Sequence, residues 1–173
     1  MDLLYTFKAT KATKLSTLQT KCMIKTLNIK DDIQLLKDNY IGHLAFIYLK
    51  RPYVVPITYY YDESNNSIVS YSGEGHKINA MRINNKVSIE VNEIESINQW
   101  RSVLVHGEFE ELENGDAKFQ LHKFAEGVRN NILQKQDKEL KFINEFSSKV
   151  SLETDPVVYR INISEMTGKR RAL

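Results

Sequence analysis

The sequence contains few of the residues that build disulfides and metal centres. Its single cysteine, Cys22, excludes an internal disulfide and a cysteine-based metal cluster, so nothing in the chain requires an oxidising compartment. Its four histidines are spread along the chain, and none pairs with another at the spacing of metal ligands. We therefore expect no metal site and a cytoplasmic location.

Long hydrophobic runs and the common catalytic motifs are also missing. The most apolar run, residues 41–49, is far shorter than the roughly 20 apolar residues that a membrane-spanning helix needs. The chain has no P-loop, no His-Glu-x-x-His, no Cys-x-x-Cys and no Gly-x-Ser-x-Gly sequence. Paired carboxylates such as Glu110 and Glu111 lie among polar residues, which favours a solvated surface over acid-base catalysis.

Positive charge is concentrated near the start of the chain. The first 30 residues carry six lysines against one acid, Asp2, although the whole chain has a net charge of only +2. Residues 1–27 lack the apolar core of a secretory signal and the arginines of a transit peptide, so we interpret them as a lysine-rich arm. No aromatic residue lies between the lysines from Lys11 to Lys30, and we expect no nucleic-acid partner.

The remaining residues, 28–173, have the length of one domain. β-branched and aromatic runs between turn-forming residues predict strands, and apolar residues at helical spacing predict helices. The predicted strands are 41–49, 53–61, 67–72, 86–91, 100–112 and 157–163, and the predicted helices are 31–39, 76–83, 115–129 and 131–146. Six short strands linked mainly by hairpins predict a mainly β (α+β) fold, a closed antiparallel barrel with added helices.

Residues 70–77 form the most informative segment, because a predicted strand ends there in a Gly-Glu-Gly loop and a helix begins. Free N–H groups at a helix start and the helix dipole favour an anion, and Lys77 and His76 add donors for a phosphate monoester. A tight turn with an exposed lysine is the alternative interpretation. The local pattern leaves both open.

Four segments, in order and at consistent spacing between residues 33 and 112, resemble one known family. They are Gly42-His43-Leu44-Ala45-Phe46, then Pro52-Tyr53-Val54-Val55-Pro56-Ile57-Thr58-Tyr59, then Ser70-Tyr71-Ser72 with Gly75-His76-Lys77, and Trp100-Arg101-Ser102-Val103 with Gly107. Together they resemble the FMN-binding split β-barrels related to pyridoxamine 5'-phosphate oxidase. Within that family, the similarity is to the branch that contains nitroimidazole-resistance proteins.

This resemblance implies a six-stranded antiparallel split β-barrel that binds FMN at a homodimer interface. The strand positions expected beside the flavin ring are Val55, Pro56, Ile57 and Thr58. The positions expected beside the ribityl chain and phosphate are Ser70 and Tyr71. His76 and Lys77 match an Arg-Lys or Lys-Lys pair on the phosphate, and His76 departs from that pattern. Ser102 matches a polar residue near the polar edge of the ring, and Trp100 either walls the site or belongs to the core.

The resemblance also implies a function, an FMN-dependent oxidoreductase. The true oxidase has an Arg-x-His element near its C-terminus, and residues 163–171 lack it, so vitamin B6 oxidation is not expected. A helical insertion at about 115–146 is expected to shape a different substrate pocket. We therefore expect reduction of a small electron-poor or conjugated substrate, with NAD(P)H or a reductase as electron donor and no catalytic residue assigned.

Two alternatives remain open at this point. Some relatives of this barrel bind haem through a histidine, and His122 or His43 would then be the axial ligand. The other alternative is a homodimer that binds flavin without catalysing a reaction. The bias toward lysine, asparagine and isoleucine fits a bacterium with an AT-rich genome.

Overall fold

The fold is described by a computed structural model that covers residues 23–135 and 156–172. Its strands are β1 (Met23–Thr26), β2 (Ile41–Tyr48), β3 (Arg51–Thr58), β4 (Tyr60–Asp62), β5 (Ser67–Ser72), β6 (Lys86–Ser96), β7 (Gln99–Glu111) and β8 (Val157–Ala172). Its helices are α1 (Ile29–Asp38), α2 (His76–Ile83) and α3 (Asn114–Lys135). None of the helices in these two ranges is long and apolar enough to span a membrane.

The strands form one antiparallel sheet that curves round so that its two ends are consecutive in the chain. Hydrogen-bonded neighbours follow the order β3-β2-β6-β7-β8-β5-β4, and β1 pairs with β8 beside this path. Only Tyr59 separates the two end strands, β3 and β4. Among the described strands the sheet is not closed by hydrogen bonds, so the expectation of a closed barrel was wrong. The split-barrel α+β class is confirmed.

The sheet has eight strands where the sequence predicted six. The predicted strand 53–61 is divided because the Tyr59 N–H donates to the Tyr40 carbonyl over 2.8 Å, and β4 then pairs with β5. The other additional strand, β1, lies within the predicted arm, and Leu27 after it is buried. Residues 23–27 therefore belong to the domain, while residues 1–22 of the predicted arm lie outside the described residues.

The last strand, β8, is longer than predicted. The sequence suggested a strand over 157–163 and then a basic tail, because apolar alternation stops after Ile163. In the structure the backbone of the basic segment pairs with β7 on one side and β1 on the other, as in the register of Lys169 with Ser102 and Thr26. The charged side chains of this segment are thus held on a sheet.

The hairpin between β2 and β3 turns one residue earlier than the predicted turn, 50–52. Leu49 and Lys50 occupy it with φ values of 47° and 63°. Two consecutive residues at positive φ are typical of the tightest hairpin connection, which glycine and asparagine favour. The structure therefore places two unfavourable residues at this turn.

The helices agree with the sequence to different degrees. Helix α1 begins two residues before its predicted start, because Asn28 caps it by accepting hydrogen bonds from the backbone N–H of Lys30 and Asp31, both at 3.0 Å. Helix α2 has its predicted bounds. Helix α3 continues through the predicted break at residue 130, and the remainder of the insertion, 136–146, lies outside the described residues.

The core lies inside the curved sheet, under α1 and α2. Tyr59, fully buried between the two ends of the sheet, donates from its hydroxyl to the Leu36 carbonyl over 2.9 Å and so fastens α1. Helix α3 covers a second, smaller apolar cluster that includes Val69, Phe124 and Val128. The two clusters hold the ends of the sheet in a fixed position where the barrel is split.

Candidate functional site at the split of the sheet

A cleft of about 220 Å³ opens beside the split, between the end of β3 and the end of β5. It is lined by Pro56, Ile57, Thr58, Tyr71 and Lys77. All five are among the residues that the resemblance predicted beside the flavin. The fold brings them together because β3 ends the sheet, β4 stops before the last residues of β5, and α2 follows β5 directly.

One wall of the cleft is the free edge of β3, which pairs only with β2 among the described strands. The Thr58 carbonyl accepts a hydrogen bond from the Ser70 hydroxyl at 2.8 Å, so the Thr58 backbone points away from β2. Pro56, two residues earlier, points the same way, as a proline on a strand edge must. The Thr58 N–H and the Pro56 carbonyl therefore offer one donor and one acceptor along this edge.

The cation of the cleft is Lys77, in the first turn of α2. Its side chain is half-buried, and burial lowers the pKa of its ammonium group below the ordinary value. Within the described residues it forms no hydrogen bond and no ion pair. Gly75 caps the helix without a side-chain hydrogen bond, so within residues 23–135 and 156–172 no side chain satisfies the first N–H groups of α2. A desolvated charge and free helix-start donors make this end of the cleft selective for an anion.

The loop before Lys77 is held in place by Arg82. The guanidinium of Arg82 binds both carboxylate oxygens of Glu74, at 2.7 and 2.9 Å, and both of Glu111, at 2.7 and 2.8 Å. These contacts raise the pKa of Arg82 and lower that of Glu74. Sequence analysis missed this group, because Glu111 lies 29 residues from Arg82 and nothing local connects them.

The opposite wall of the cleft is Tyr71, which is supported from behind by α3. Its ring meets the Phe124 ring edge-on, with centroids 5.2 Å apart. Burial raises the pKa of the Tyr71 hydroxyl, which therefore stays protonated at neutral pH. The insertion thus reaches the site through an aromatic contact.

The other predicted residues near the cleft have different surroundings. Val55 is half-buried against the core, and Ser70 is buried with its hydroxyl bound to Thr58. His76 is exposed, and its ring packs edge-on against two tyrosine rings. The ring centroids are 4.7 Å apart for Tyr48 and 4.9 Å apart for Tyr53. Since His76 does not line the cleft, Lys77 is the one cation there among the described residues.

Trp100 and Ser102 lie on β7, away from the cleft. Three strand spacings separate β7 from β3, which places Ser102 about 14 Å from the β3 edge by ordinary sheet geometry. Both side chains are half-buried, on the outer face of the sheet. Neither reaches the cleft of its own chain.

The histidines considered as haem ligands are both exposed. His122 lies on α3, with its Nε2 4.0 Å from a carboxylate oxygen of Glu126. His43 lies on the outer face of β2, with its Nδ1 3.3 Å from a carboxylate oxygen of Glu90. Neither lines the cleft. In the described ranges no group of three or more potential metal ligands occurs.

An open, curved antiparallel sheet with a cleft at its split is the architecture of a split-barrel protein. The sequence from residue 31 to residue 170 matches the pyridoxamine 5'-phosphate oxidase family. The chain belongs to this family, as the resemblance had predicted.

Individual relatives agree with this assignment. An uncharacterized protein of Rhizobium meliloti (strain 1021) is 43% identical over 72 residues, which are 42% of this chain and 46% of that protein. This chain thus matches about half the length of that relative. The crystal structure of a FAD-binding protein from Mesorhizobium loti is 28% identical with a TM-score of 0.65, and the match covers 86% of this chain and 98% of that one.

A third relative shares the fold at lower identity. It is a Bacteroides thetaiotaomicron protein provisionally assigned to 5-nitroimidazole antibiotic resistance, 18% identical with a TM-score of 0.60. The match covers 86% of this chain and 89% of that one. At this identity the likeness concerns the fold alone.

Proposed function

We propose that this protein binds a flavin, FMN in the first instance, in the cleft at the split of the sheet. The observation that carries the proposal is the half-buried Lys77 at the start of α2, which has no partner among the described residues and lies opposite the free edge of β3. The phosphate would lie on Lys77 and the free N–H groups of α2. The polar edge of the ring would lie on the Thr58 N–H and the Pro56 carbonyl.

The known relatives support a flavin as the ligand. The Mesorhizobium loti structure is described as FAD-binding, and the family is that of an oxidase acting on pyridoxamine 5'-phosphate. Both names agree with a cleft that offers a phosphate site beside a flat polar edge. Tyr71 and Ile57, which line the cleft from β5 and β3, would lie on either side of the flavin ring.

We also propose that the functional unit is a homodimer. Trp100 and Ser102 match flavin-contacting positions of the family, yet on their own chain they lie three strand spacings from the β3 wall of the cleft and two from its β5 wall, and neither lines it. A second copy that packs on the outer face of the sheet would bring its own Trp100 and Ser102 to this cleft. Exposed Ile41 and Val54 on that face would then be covered.

The proposed activity is reduction of a small electron-poor or conjugated substrate, with NAD(P)H or a reductase partner as electron donor. Flavin, when bound, supplies the redox chemistry. The chain's own residues bind the phosphate, orient the ring against β3 and exclude water through Tyr71 and Ile57. A homodimer that binds flavin without turnover is distinguished by the absence of flavin-dependent NAD(P)H oxidation with any acceptor.

The test is a titration with FMN and with riboflavin, which lacks the phosphate, of the wild type and of Lys77→Ala. We expect oxidised-flavin bands at about 375 and 450 nm in the loaded protein. Lys77→Ala should weaken FMN binding roughly ten- to a hundredfold, because it removes a charged donor to phosphate, and should leave riboflavin binding nearly unchanged.

Lys118→Ala is the matched control, since Lys118 is an exposed lysine on α3 away from the cleft. It should bind FMN like the wild type. A wild-type protein that stays colourless and has no affinity for added FMN would contradict the proposal. A Soret band on titration with haem, lost in His122→Ala, would replace it with the haem-binding alternative.

A further inference from the structure

We propose that His43 and Glu90 form a reciprocal pair across the two-fold axis of the homodimer, in which His43 of each copy faces the partner's Glu90. This pair makes the outer face of the sheet complementary to itself in one alignment. The inference rests on the proposed homodimer and goes further by naming the contact that selects the second copy. Neither residue lines the cleft.

Two rows of side chains cross the outer face on four neighbouring strands, β3, β2, β6 and β7. Residues directly opposite each other on paired antiparallel strands point to the same face of the sheet. In this strand order the first row is Pro56, His43, Glu90 and Leu104, and the second row is Val54, Ala45, Ser88 and His106. Their chain neighbours Leu44, Ile89 and Val105 are fully buried, so both rows point away from the core.

The proposed homodimer determines where a two-fold axis crosses these rows. If the partner's Ser102 comes to the end of β3, symmetry brings Ser102 of the first copy to the end of the partner's β3. Because the copies pack face to face, an axis that exchanges β3 with β7 runs along the strands midway between them. That line lies between β2 and β6. Each β2 therefore faces the partner's β6, and each β3 faces the partner's β7.

This axis brings complementary side chains of the first row together. His43 faces the partner's Glu90, and the same contact occurs a second time with the copies exchanged. On the outer strands Pro56 faces the partner's Leu104, so an apolar contact flanks each pair. Leu104 is 37% exposed in the single chain, which is unusual for a leucine in the middle of a strand and is accounted for by this cover.

The two side chains retain binding capacity for a second copy. Within one chain the Nδ1 atom of His43 lies 3.3 Å from a carboxylate oxygen of Glu90, and its other ring nitrogen has no partner among the described residues. The Asn92 amide donates to both Glu90 oxygens, at 2.7 and 2.9 Å. A carboxylate has about four acceptor positions, so one remains for the partner's His43. The side chains of His43 and Glu90 are 48% and 35% exposed, which leaves both within reach of another molecule.

Other alignments of the two faces bring like groups together. An axis along β2 would set His43 against the partner's His43, and an axis along β6 would set Glu90 against the partner's Glu90. Like charges opposed across an interface disfavour it. Between β2 and β6, by contrast, the second row sets Ala45 against the partner's Ser88, and these small side chains let the sheets approach. The pair thus favours the alignment that completes the cleft.

The test reverses the charges of the pair and follows the dimer by sedimentation velocity, with and without added FMN. The wild type should be a dimer. Glu90→Lys and His43→Glu should each weaken the homodimer at least about tenfold, because each replaces an attraction by a mismatch at two symmetric places.

An equimolar mixture of these two variants should dimerise again, within about threefold of the wild type. In the mixed dimer the lysine introduced at position 90 of one copy faces the glutamate introduced at position 43 of the other. The mismatch within each chain remains, so recovery on mixing can come only from contacts between copies. FMN affinity, for which the partner completes the cleft, should fall in each single variant and recover in the mixture.

The chain offers a matched control on α3, where His122 lies 4.0 Å from Glu126 and both are exposed. His122→Glu and Glu126→Lys make the same charge changes, and both should dimerise like the wild type, alone and mixed. Thermal unfolding checks that every variant is folded. If a single variant at position 43 or 90 does not fold, His43→Glu/Glu90→Lys in one chain takes its place. This double variant should dimerise with itself and not with the wild type.

The outcomes separate this pair from the flavin proposal. Variants at positions 43 and 90 that dimerise like the wild type, or a mixture no tighter than its components, would overturn the pair. A monomeric wild type would overturn the pair and the homodimer together. Recovery of the dimer on mixing, in a protein without affinity for FMN, would support the pair and contradict flavin binding.

Discussion

The Ser70 hydroxyl donates to the Thr58 carbonyl over 2.8 Å and so joins β5 to the last residue of β3 across the split of the sheet. Beyond this bond the two strands diverge, and the cleft lies between them. Ser70 was predicted beside the ribityl chain and phosphate of the cofactor. In the structure its side chain is buried and holds the two walls of the cleft at a fixed separation.

Replacing this hydroxyl should therefore loosen the cleft. Ser70→Ala is expected to cost about 1 kcal/mol in the free energy of unfolding, the usual net contribution of one such hydrogen bond. FMN affinity should fall several-fold in parallel, because the walls are less well preorganised. Urea unfolding and flavin titration measure the two effects. Ser72→Ala, two residues along the same strand, should change neither, and a Ser70→Ala protein of wild-type stability would contradict this role.

The half-buried ammonium of Lys77 should make stability depend on pH. Its pKa is lowered from 10.5 by burial, so above the lowered value and below 10.5 the unfolded chain binds more protons than the folded one. Stability attributable to Lys77 therefore rises with pH through that window. At neutral pH, Lys77→Met should unfold at higher temperature than the wild type without ligand.

The difference between the wild type and Lys77→Met should shrink as the pH approaches 10.5. Saturating inorganic phosphate, an anion that compensates the charge, should also reduce it by stabilising the wild type alone. Thermal unfolding from pH 7 upward, with and without phosphate, measures both effects. A Lys77→Met protein less stable than the wild type at every pH would show that the charge of Lys77 does not destabilise the folded protein.

Arg82 should affect the cofactor without touching it. Its bonds to Glu74 and Glu111 hold the loop that leads into Lys77. Arg82→Met should lower FMN affinity about three- to tenfold by freeing this loop, with little change in the flavin spectrum. Arg129→Met, an exposed arginine on α3, is the control and should bind normally. Wild-type affinity in Arg82→Met would mean that the loop is fixed by other contacts.

The sequence predicts the members of the cleft better than the shape of the sheet. Of the five residues that line the cleft, the local pattern indicated Lys77, as a cation at a predicted helix start, whereas Pro56, Ile57, Thr58 and Tyr71 were expected only from the resemblance to a known family. The local patterns of turn formers and apolar alternation gave only the strands and the helix on which these residues lie. The resemblance to a known family supplied the reason to consider them together.

What the sequence did not predict depends on contacts between distant residues. The split after Tyr59 follows from its hydrogen bonds to Tyr40 and Leu36, neither of which is visible in the alternation of residues 53–61. The ring contacts of His76 with Tyr48 and Tyr53 likewise come from folding. The basic segment of β8 reads as a tail because its partners, β7 and β1, supply the pairing that makes it a strand.

The turn between β2 and β3 offers a simple gain in stability. Leu49 and Lys50 both have positive φ, which glycine and asparagine adopt with less strain. Leu49→Asn/Lys50→Gly should raise the free energy of unfolding by about 1 kcal/mol. Chemical denaturation with an unchanged m-value measures it. A destabilised double variant would mean that the exposed Leu49 side chain contributes packing that outweighs the backbone strain.

Helix α3 reaches the site only because Gly127 lets it approach Tyr60. A Cβ at Gly127 would overlap the Tyr60 ring, whereas one at Gly115 of the same helix meets nothing within 4 Å. Helix propensity alone would favour alanine at both positions. Gly127→Ala should nevertheless lower the free energy of unfolding by about 1–3 kcal/mol, because the helix must move away from β4.

The same movement would carry Phe124 away from Tyr71, so flavin affinity should fall as well. Gly115→Ala should lose neither stability nor affinity, and equal behaviour of the two variants in thermal unfolding would contradict this close contact.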